Sequence, residues 1–285
     1  METVDLSIAS LVLTFLLLAL PVVLSLLFGF RLLKPLFYAV GRMTVQLILI
    51  GIFLKYLFLW NNTWINLLWL MIMITVAVFS AVRSSSIKIS RIFIPGFLSF
   101  TVATFVVIFY LNLVVIPLDN VFDARYLIVL GGMLLGNSLR GNIVGISTFY
   151  KNIRNDTRKY LYTLSLGASH YEALLPYLRE SVELALKPTL AAMATMGIVA
   201  LPGMMTGVIL GGASPEVAIK YQIMIMIAIV VSTITSVVLT ILMTLRVCFN
   251  HYGVLRQDVF TDRAPGHKKS SRRSRPPGSA AAGRR

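Results

Sequence analysis

Apolar residues run along this chain in blocks longer than soluble cores use, separated by short polar connectors. A bilayer is spanned by about 20 predominantly apolar residues in a helix. That rule picks out seven segments, at 6–28, 39–60, 64–82, 92–116, 126–149, 189–212 and 221–248. The pattern predicts an all-α polytopic membrane protein of about seven transmembrane helices. Two blocks are interrupted. The fifth, YLIVLGGMLLGNSLRGNIVGISTF, contains glycines, two asparagines and Arg140. The sixth carries Pro202 and Gly203 in its middle; a proline there removes a backbone donor and crowds the carbonyl four residues back, that of Ile198, so a kink with a freed carbonyl is expected.

The segment at 150–188 is too long for a simple connector and too regularly patterned for a linker. It reads as two short helices with an elbow. Asn155 or Asp156 can cap the first, through TRKYLYTLSL, and Gly167 can end it in the left-handed conformation. Ser169 and Glu172 have the S-x-x-E spacing of a capping box, which starts a second helix over about 170–187. Leu174, Leu178 and Val182 recur there at helical spacing, and Pro176 is expected to bend or delay the helix.

Basic residues order these elements across the membrane, because short cytoplasmic loops collect Lys and Arg. Arg31 and Lys34, then Arg83, Lys88 and Arg91, then Lys151, Arg154, Arg158 and Lys159 fall in alternate connectors. Those connectors are expected inside, which puts the N-terminus outside and the C-terminus in the cytoplasm. Trp60, Trp64 and Trp69 then fall near the outer headgroup level as anchors.

Composition agrees with the pattern: 57% of residues are hydrophobic, 13% are charged, and the mean hydropathy is +0.83. The formal charge of +15 would suggest nucleic acid in a soluble chain, but much of the excess lies in GHKKSSRRSRPPGSAAAGRR, 266–285. No nucleic-acid partner is expected; the bilayer is. Residues 1–260 form the expected transmembrane domain, and 261–285 read as a disordered basic tail. The single cysteine, Cys248, can form no internal disulfide.

Catalytic signals are sparse. There is no H-E-x-x-H, no G-x-S-x-G and no carboxylate pair within a span, and His170, His251 and His267 read as surface residues of polar segments. Without a G-x-x-x-x-G-K-[ST] loop, the chain is expected to bind no cofactor, and any ATP must sit on another chain. Arg140 is either functional or snorkels to the interface. Gly131, Gly132, Gly136, Gly141 and Gly145 read as close-packing positions facing the sixth span or a second subunit. Met193, Met196, Met204 and Met205 are soft ligands or flexible apolar fill. Gln46, Asn137, Asn142 and Gln222 either pair between helices or line a hydrophilic path. Pro202, Gly203, Met204, Met205, Gln46, Asn137 and Gln222 form the candidate substrate path.

Four stretches carry a family resemblance: GRMTVQLILIGIFLKYLFLW (41–60), GGMLLGNSLRGNIVG (131–145), LSLGAS (164–169) and LPGMMTGVILGGASPEVAIKYQIMI (201–225). They resemble the FetB-type ABC transporter permeases, from the second span through the seventh. The resemblance implies a non-enzymatic permease subunit that pairs with itself and with two copies of a cytosolic ABC ATPase. Bacterial relatives imply export of iron or another metal across the cytoplasmic membrane. Plant relatives, linked to aluminium tolerance, leave a nucleotide sugar open as cargo. The elbow also resembles the coupling loop of ABC importers, with Gly167, Ala168 and Ser169 matching; the expected Glu-Ala-Ala is replaced by Leu161, Tyr162 and Thr163. Tyr171, Glu172, Leu174 and Leu178 would then present the ATPase-docking face. An ATP-independent channel or secondary carrier is the rival class.

Overall fold

The computed structural model describes residues 7–85, 87–250 and 253–256. The tail at 261–285, His251 and His267 lie outside the described residues. Among the described residues ten α-helices form the fold. They are α1 (Ile8–Phe15), α2 (Ala19–Leu27), α3 (Leu33–Trp60), α4 (Thr63–Ser84), α5 (Ile89–Tyr110), α6 (Ala124–Asn155), α7 (Thr157–Ser165), α8 (His170–Thr195), α9 (Gly203–Leu210) and α10 (Pro215–Cys248). Among the described residues there is no strand. A single 3-10 turn, Leu16–Leu18, joins α1 to α2 within the first expected span, and α5 ends in a π-helical turn, Leu111–Val115.

Among the described residues six helical stretches are long and apolar enough to cross a membrane: Ala9–Leu27, Leu33–Trp60, Thr63–Ser84, Arg91–Val115, Ala124–Asn155 and Pro215–Cys248. The expected sixth span, 189–212, is not a continuous helix. Its first part is the end of α8, its last part is α9, and 196–202 between them is non-helical.

The break still belongs to a crossing, and the packing of α6 on α10 requires it. Ser138 meets Ser232 (3.2 Å), Asn142 donates to Ser236 Oγ (2.8 Å), and Tyr150 donates to Thr244 Oγ1 (2.7 Å), all at one constant offset along the chain. A constant offset means that α6 and α10 run parallel. The chain must therefore return across the layer between them, and α8 with α9 makes that return.

Glycines let the parallel pair close. A Cβ on Gly145 would stand 2.7 Å from Val237 Cγ1, and one on Gly141 would collide with Thr233 Cγ2. On its other faces α6 meets α4, where a Cβ on Gly131 would stand 2.8 Å from Leu70 Cδ1, and α8, where Gly145 faces Ala185 and the Ser181 carbonyl. The glycine face thus packs on α4 and α10 as well as on α8. Gly136 has open space beside it.

At the opposite end of α4 and α6 a second polar knot sets their starts. Asn61, the chain's one described non-glycine residue with positive φ (39°), donates to Asp123 Oδ2 (2.9 Å). Its Oδ1 accepts from Ala124 N–H (2.8 Å) and Asn66 Nδ2 (3.2 Å), and Asn66 also donates to the Phe122 carbonyl (2.9 Å). Trp60 and Trp64 are exposed as expected of anchors, but Trp69 turns inward against Phe53, with ring centroids 4.1 Å apart. It lies five residues beyond Trp64 on α4, on the face that meets α3.

The core lies in α4–α6, α8 and α10. The first two spans stand outside it with almost all of their apolar surface uncovered. Overpacking a tight core site costs about 1–3 kcal/mol, so Gly145→Leu is expected to lower unfolding stability in detergent by that much. Gly136→Ala, with open space at its Cβ, is expected to be neutral or to stabilise by up to about 1 kcal/mol through helix propensity.

Candidate functional site

The elbow forms as its residues dictate. Gly167 has φ +90° and nothing within 4 Å of where a Cβ would sit, so conformation rather than space requires glycine there. Ser169 caps α8: its Oγ accepts from Glu172 N–H (3.3 Å), while Glu172 Oε2 accepts from Ser169 N–H (2.8 Å) and from its hydroxyl (2.7 Å). These bonds, the hydroxyl's first, hold the Glu172 carboxyl below its ordinary pKa. Asp156 is the N-cap of α7 but makes no side-chain capping bond.

From Ser169 onward the structure departs from the pattern reading. Helix α8 passes through both Pro176 and Pro188 and ends only at Thr195. The expected short cytoplasmic helix and the first half of the expected sixth span are one rod of 26 residues, about 39 Å long. Leu174 is 2% exposed and Leu178 packs against the core, so neither belongs to an open docking face. The apolar side chains most uncovered at the elbow are Tyr162, Leu166 and Tyr171, all more than half exposed. Periodicity marked the right stripe, but that stripe is satisfied within the chain. Ala168 is half-buried, and Ser169 and Glu172 are exposed.

His170 is more than surface decoration. Buried Tyr160 donates its hydroxyl to the Gly253 carbonyl (2.7 Å) and stands 2.9 Å from His170 Nδ1, and Phe249 packs edge-on against both rings. The phenol proton is used on Gly253, so Nδ1 must carry the proton of the second bond. Burial raises the Tyr160 pKa to about 12 and lowers that of His170. This clamp ties α7 and α8 to the chain beyond α10. Only the aromatic Tyr160, ten residues before His170, hinted at it.

The break has its own construction. Met196 is extended, Gly197 takes φ +86°, and the Gly197 N–H reaches the Ala200 carbonyl (3.0 Å). Pro202 then serves as the N-cap of α9, with its carbonyl accepting from Thr206 N–H (3.0 Å) and Thr206 Oγ1 (3.1 Å). The expectation of a helix broken by proline is therefore corrected. The chain is already non-helical at Ile198, no helical carbonyl is freed there, and Pro202 with Gly203 starts a helix at a position that needs no donor.

Gln222, 6% exposed on α10, reaches across to the break. Its Nε2 lies 3.6 Å from Met196 Sδ, and its Oε1 is buried without a partner. Met204 packs against the core and Met205 is half-buried. The other two path candidates lie elsewhere. Gln46 is exposed on α3 and lines a cavity of about 740 Å3 with Trp69, Met73 and Gly136, while Asn137 donates back to the Met133 carbonyl (2.8 Å). Arg140 is exposed. The structure thus brings Met196, Gln222 and the Pro202–Gly203 start together and leaves Gln46 and Asn137 apart from them.

A family model described as "Uncharacterised protein family (UPF0014)" matches residues 8–249, which includes the elbow, the break and α10. The chain belongs to the UPF0014 family. Among its UPF0014 relatives, the "Probable iron export permease protein FetB" of Escherichia coli is 33% identical over 196 residues, 67% of this chain and 73% of FetB. "Protein ALUMINUM SENSITIVE 3" of Arabidopsis thaliana is 35% identical over 195 residues, 66% of this chain and 68% of that protein. A Synechocystis "UPF0014 membrane protein" is 34% identical over 198 residues, 70% and 76%. No solved structure gives a significant match. Together with the six apolar helices, these relatives establish this UPF0014 chain as a multi-pass membrane protein of a permease family.

The depressed His170 pKa fixes the sign of a pH effect. As pH falls, the unfolded chain takes up this proton first, near the ordinary value of 6.5, and the folded chain only at lower pH. The clamp is expected to lose stability as pH falls from about 6.5 through the native pKa. Amide protection at 253–256, corrected for the intrinsic pH dependence of exchange, is expected to fall over that range in wild type, and that fall to vanish in His170→Gln.

Proposed function

We propose that this chain is the permease subunit of an ABC transporter, working as a homodimer with two copies of a separate cytosolic ATPase, and that it exports iron or another metal across the cytoplasmic membrane. The observation that carries the reading is the continuity of α8, whose single rod joins the elbow to the break. Partner binding at one end of such a rod has a direct mechanical route to the other. The elbow carries the uncovered Tyr162, Leu166 and Tyr171 for docking. It lies among the basic connectors, on the side that the positive-inside rule makes cytoplasmic. The iron export named for FetB suggests the cargo class.

The break supports both the path and the dimer. Gln222 Oε1 and Met196 Sδ offer an oxygen and a soft sulfur beside interrupted backbone, where a desolvated cation could be met in passing. Ile198 and Val199 are 91% and 79% exposed on non-helical backbone. Irregular backbone at membrane depth is not left facing lipid, so a second copy covering this stretch completes the path. In the cycle, closure of the ATPase pair draws the two elbows together, α8 tilts, and the breaks open or close the way between them.

Two substitutions separate the parts of the reading. Leu166→Asp, at an exposed position, is expected to weaken co-purification of the ATPase by about tenfold or more, roughly 1.4 kcal/mol, with normal membrane insertion. Leu174→Asp is expected to lower folding stability instead. Unchanged ATPase association in Leu166→Asp would remove the docking assignment. Gln222→Leu is expected to reduce metal transport in proteoliposomes by about tenfold while ATPase association stays normal; full transport by that variant would remove Gln222 from the path, and transport that ignores the ATPase would move the chain to the carrier class.

A further inference from the structure

Away from the break, a cavity of about 350 Å3 lies between the end of α10 and the start of α8, walled by His170, Leu245, Arg246, Phe249, Asn250 and Arg256. The local fold builds it. After Cys248 the chain reverses: Asn250 N–H donates to the Val254 carbonyl (3.0 Å), Asn250 Oδ1 accepts from Val254 N–H (2.8 Å), and Arg256 N–H returns to the Cys248 carbonyl (3.0 Å). Gly253, at φ +71°, makes the tight part of the turn; a Cβ there would stand 3.1 Å from His170 Nδ1. Tyr160 then clamps the turn onto α8 through the Gly253 carbonyl.

The outcome is electrostatically one-sided. The reversal brings Arg256 to the same cavity as Arg246, in the last turn of α10, and among the described residues no carboxylate lines that cavity. Two guanidinium groups held on one cavity repel each other unless an anion joins them. Their planar donor forks suit the oxygens of a phosphate. His170 is the first residue of α8, so the start of that helix, already capped by Ser169 and Glu172, borders the same region. With Nδ1 committed to Tyr160, His170 keeps Nε2 as its remaining polar atom.

Depth says where such an anion would come from. Between Lys220 and Arg246 helix α10 has no charged residue, and its rise over that stretch is about 39 Å. A hydrocarbon core is about 30 Å thick. If Lys220 sits at one interface, Arg246 sits at the headgroup level of the other.

We propose that this cavity binds a phosphate group, supplied by the headgroup of an anionic phospholipid in the adjacent leaflet, with Arg246 and Arg256 as the charged donors. The bound phosphate joins the end of α10 to the start of α8, the helix that carries the elbow. This rests on the membrane placement of α10 and not on the ATPase reading, so neither an ATPase nor a transport assay enters its test.

The test uses the full chain in nanodiscs of phosphatidylcholine, of phosphatidylcholine with phosphatidylglycerol, and of phosphatidylcholine with inorganic phosphate at matched ionic strength. Thermal unfolding and lipid adducts in native mass spectrometry are the readouts. Wild type is expected to unfold at a higher temperature with phosphatidylglycerol and to retain its adducts. Arg246→Gln/Arg256→Gln is expected to bind phosphatidylglycerol about tenfold more weakly, the effect of losing roughly 1.4 kcal/mol. Arg158→Gln, an exposed basic residue on α7, is expected to behave as wild type. Stabilisation by inorganic phosphate alone, lost in the double variant, would support the site and reassign its source to free phosphate. Equal phosphatidylglycerol and phosphate responses in wild type and the double variant would overturn the proposal. Adducts are counted on folded protein only, and Arg246→Lys/Arg256→Lys, which keeps the charge, is expected to recover part of the binding.

Discussion

The parallel seam between α6 and α10 is the contact on which the rest of the structure depends. Two glycines let the helices approach, and hydroxyl and amide pairs lock one register along the interface. Hydrophobic burial cannot choose that register inside a bilayer, because lipid is as apolar as leucine. Polar pairs can, since a shifted register would leave their groups unsatisfied in hydrocarbon. Once these two helices run in the same direction, the segment between them must cross back, and the placement of α7, α8 and α9 follows.

That return crossing departs most from a plain helix. Its first part is long, continuous and fixed to the core through Ala173, Leu174, Tyr177 and Ser181. Its second part is a single short helix after an irregular turn. Strength and weakness are thus divided along one element, with the interruption beside a buried glutamine rather than at either end of the crossing.

Much of this was legible in the sequence where a local rule has one solution. The capping box at Ser169, the positive φ at Gly167 and, Gly136 apart, the close-packing glycines of α6 follow from backbone geometry, and the structure contains them. Family membership was legible too, in the run from LPGMM to KYQIM. What pattern could not supply was the destination of each apolar face. In a membrane helix both the buried and the lipid-facing sides are apolar, so Leu174 and Tyr171 looked alike, although one is covered and the other open. Pro202 was misread for a related reason: proline is a breaker inside a helix and a good neighbour at its start, and only the φ of +86° at Gly197 tells which applies. The Tyr160–His170–Gly253 clamp joins residues 93 positions apart and leaves no periodic trace.

The contact of α8 with Gly145 has a mechanical meaning. Gly145 meets α8 at Ser181 and Ala185, close to the midpoint between His170 and Thr195, with about 20 Å of helix on either side. A notch without a side chain, set against the middle of a rod, is a fulcrum with arms of nearly equal length. In the proposed cycle a tilt of α8 about it would neither amplify nor reduce displacement: whatever distance the elbow end moved, the break would move about as far the opposite way.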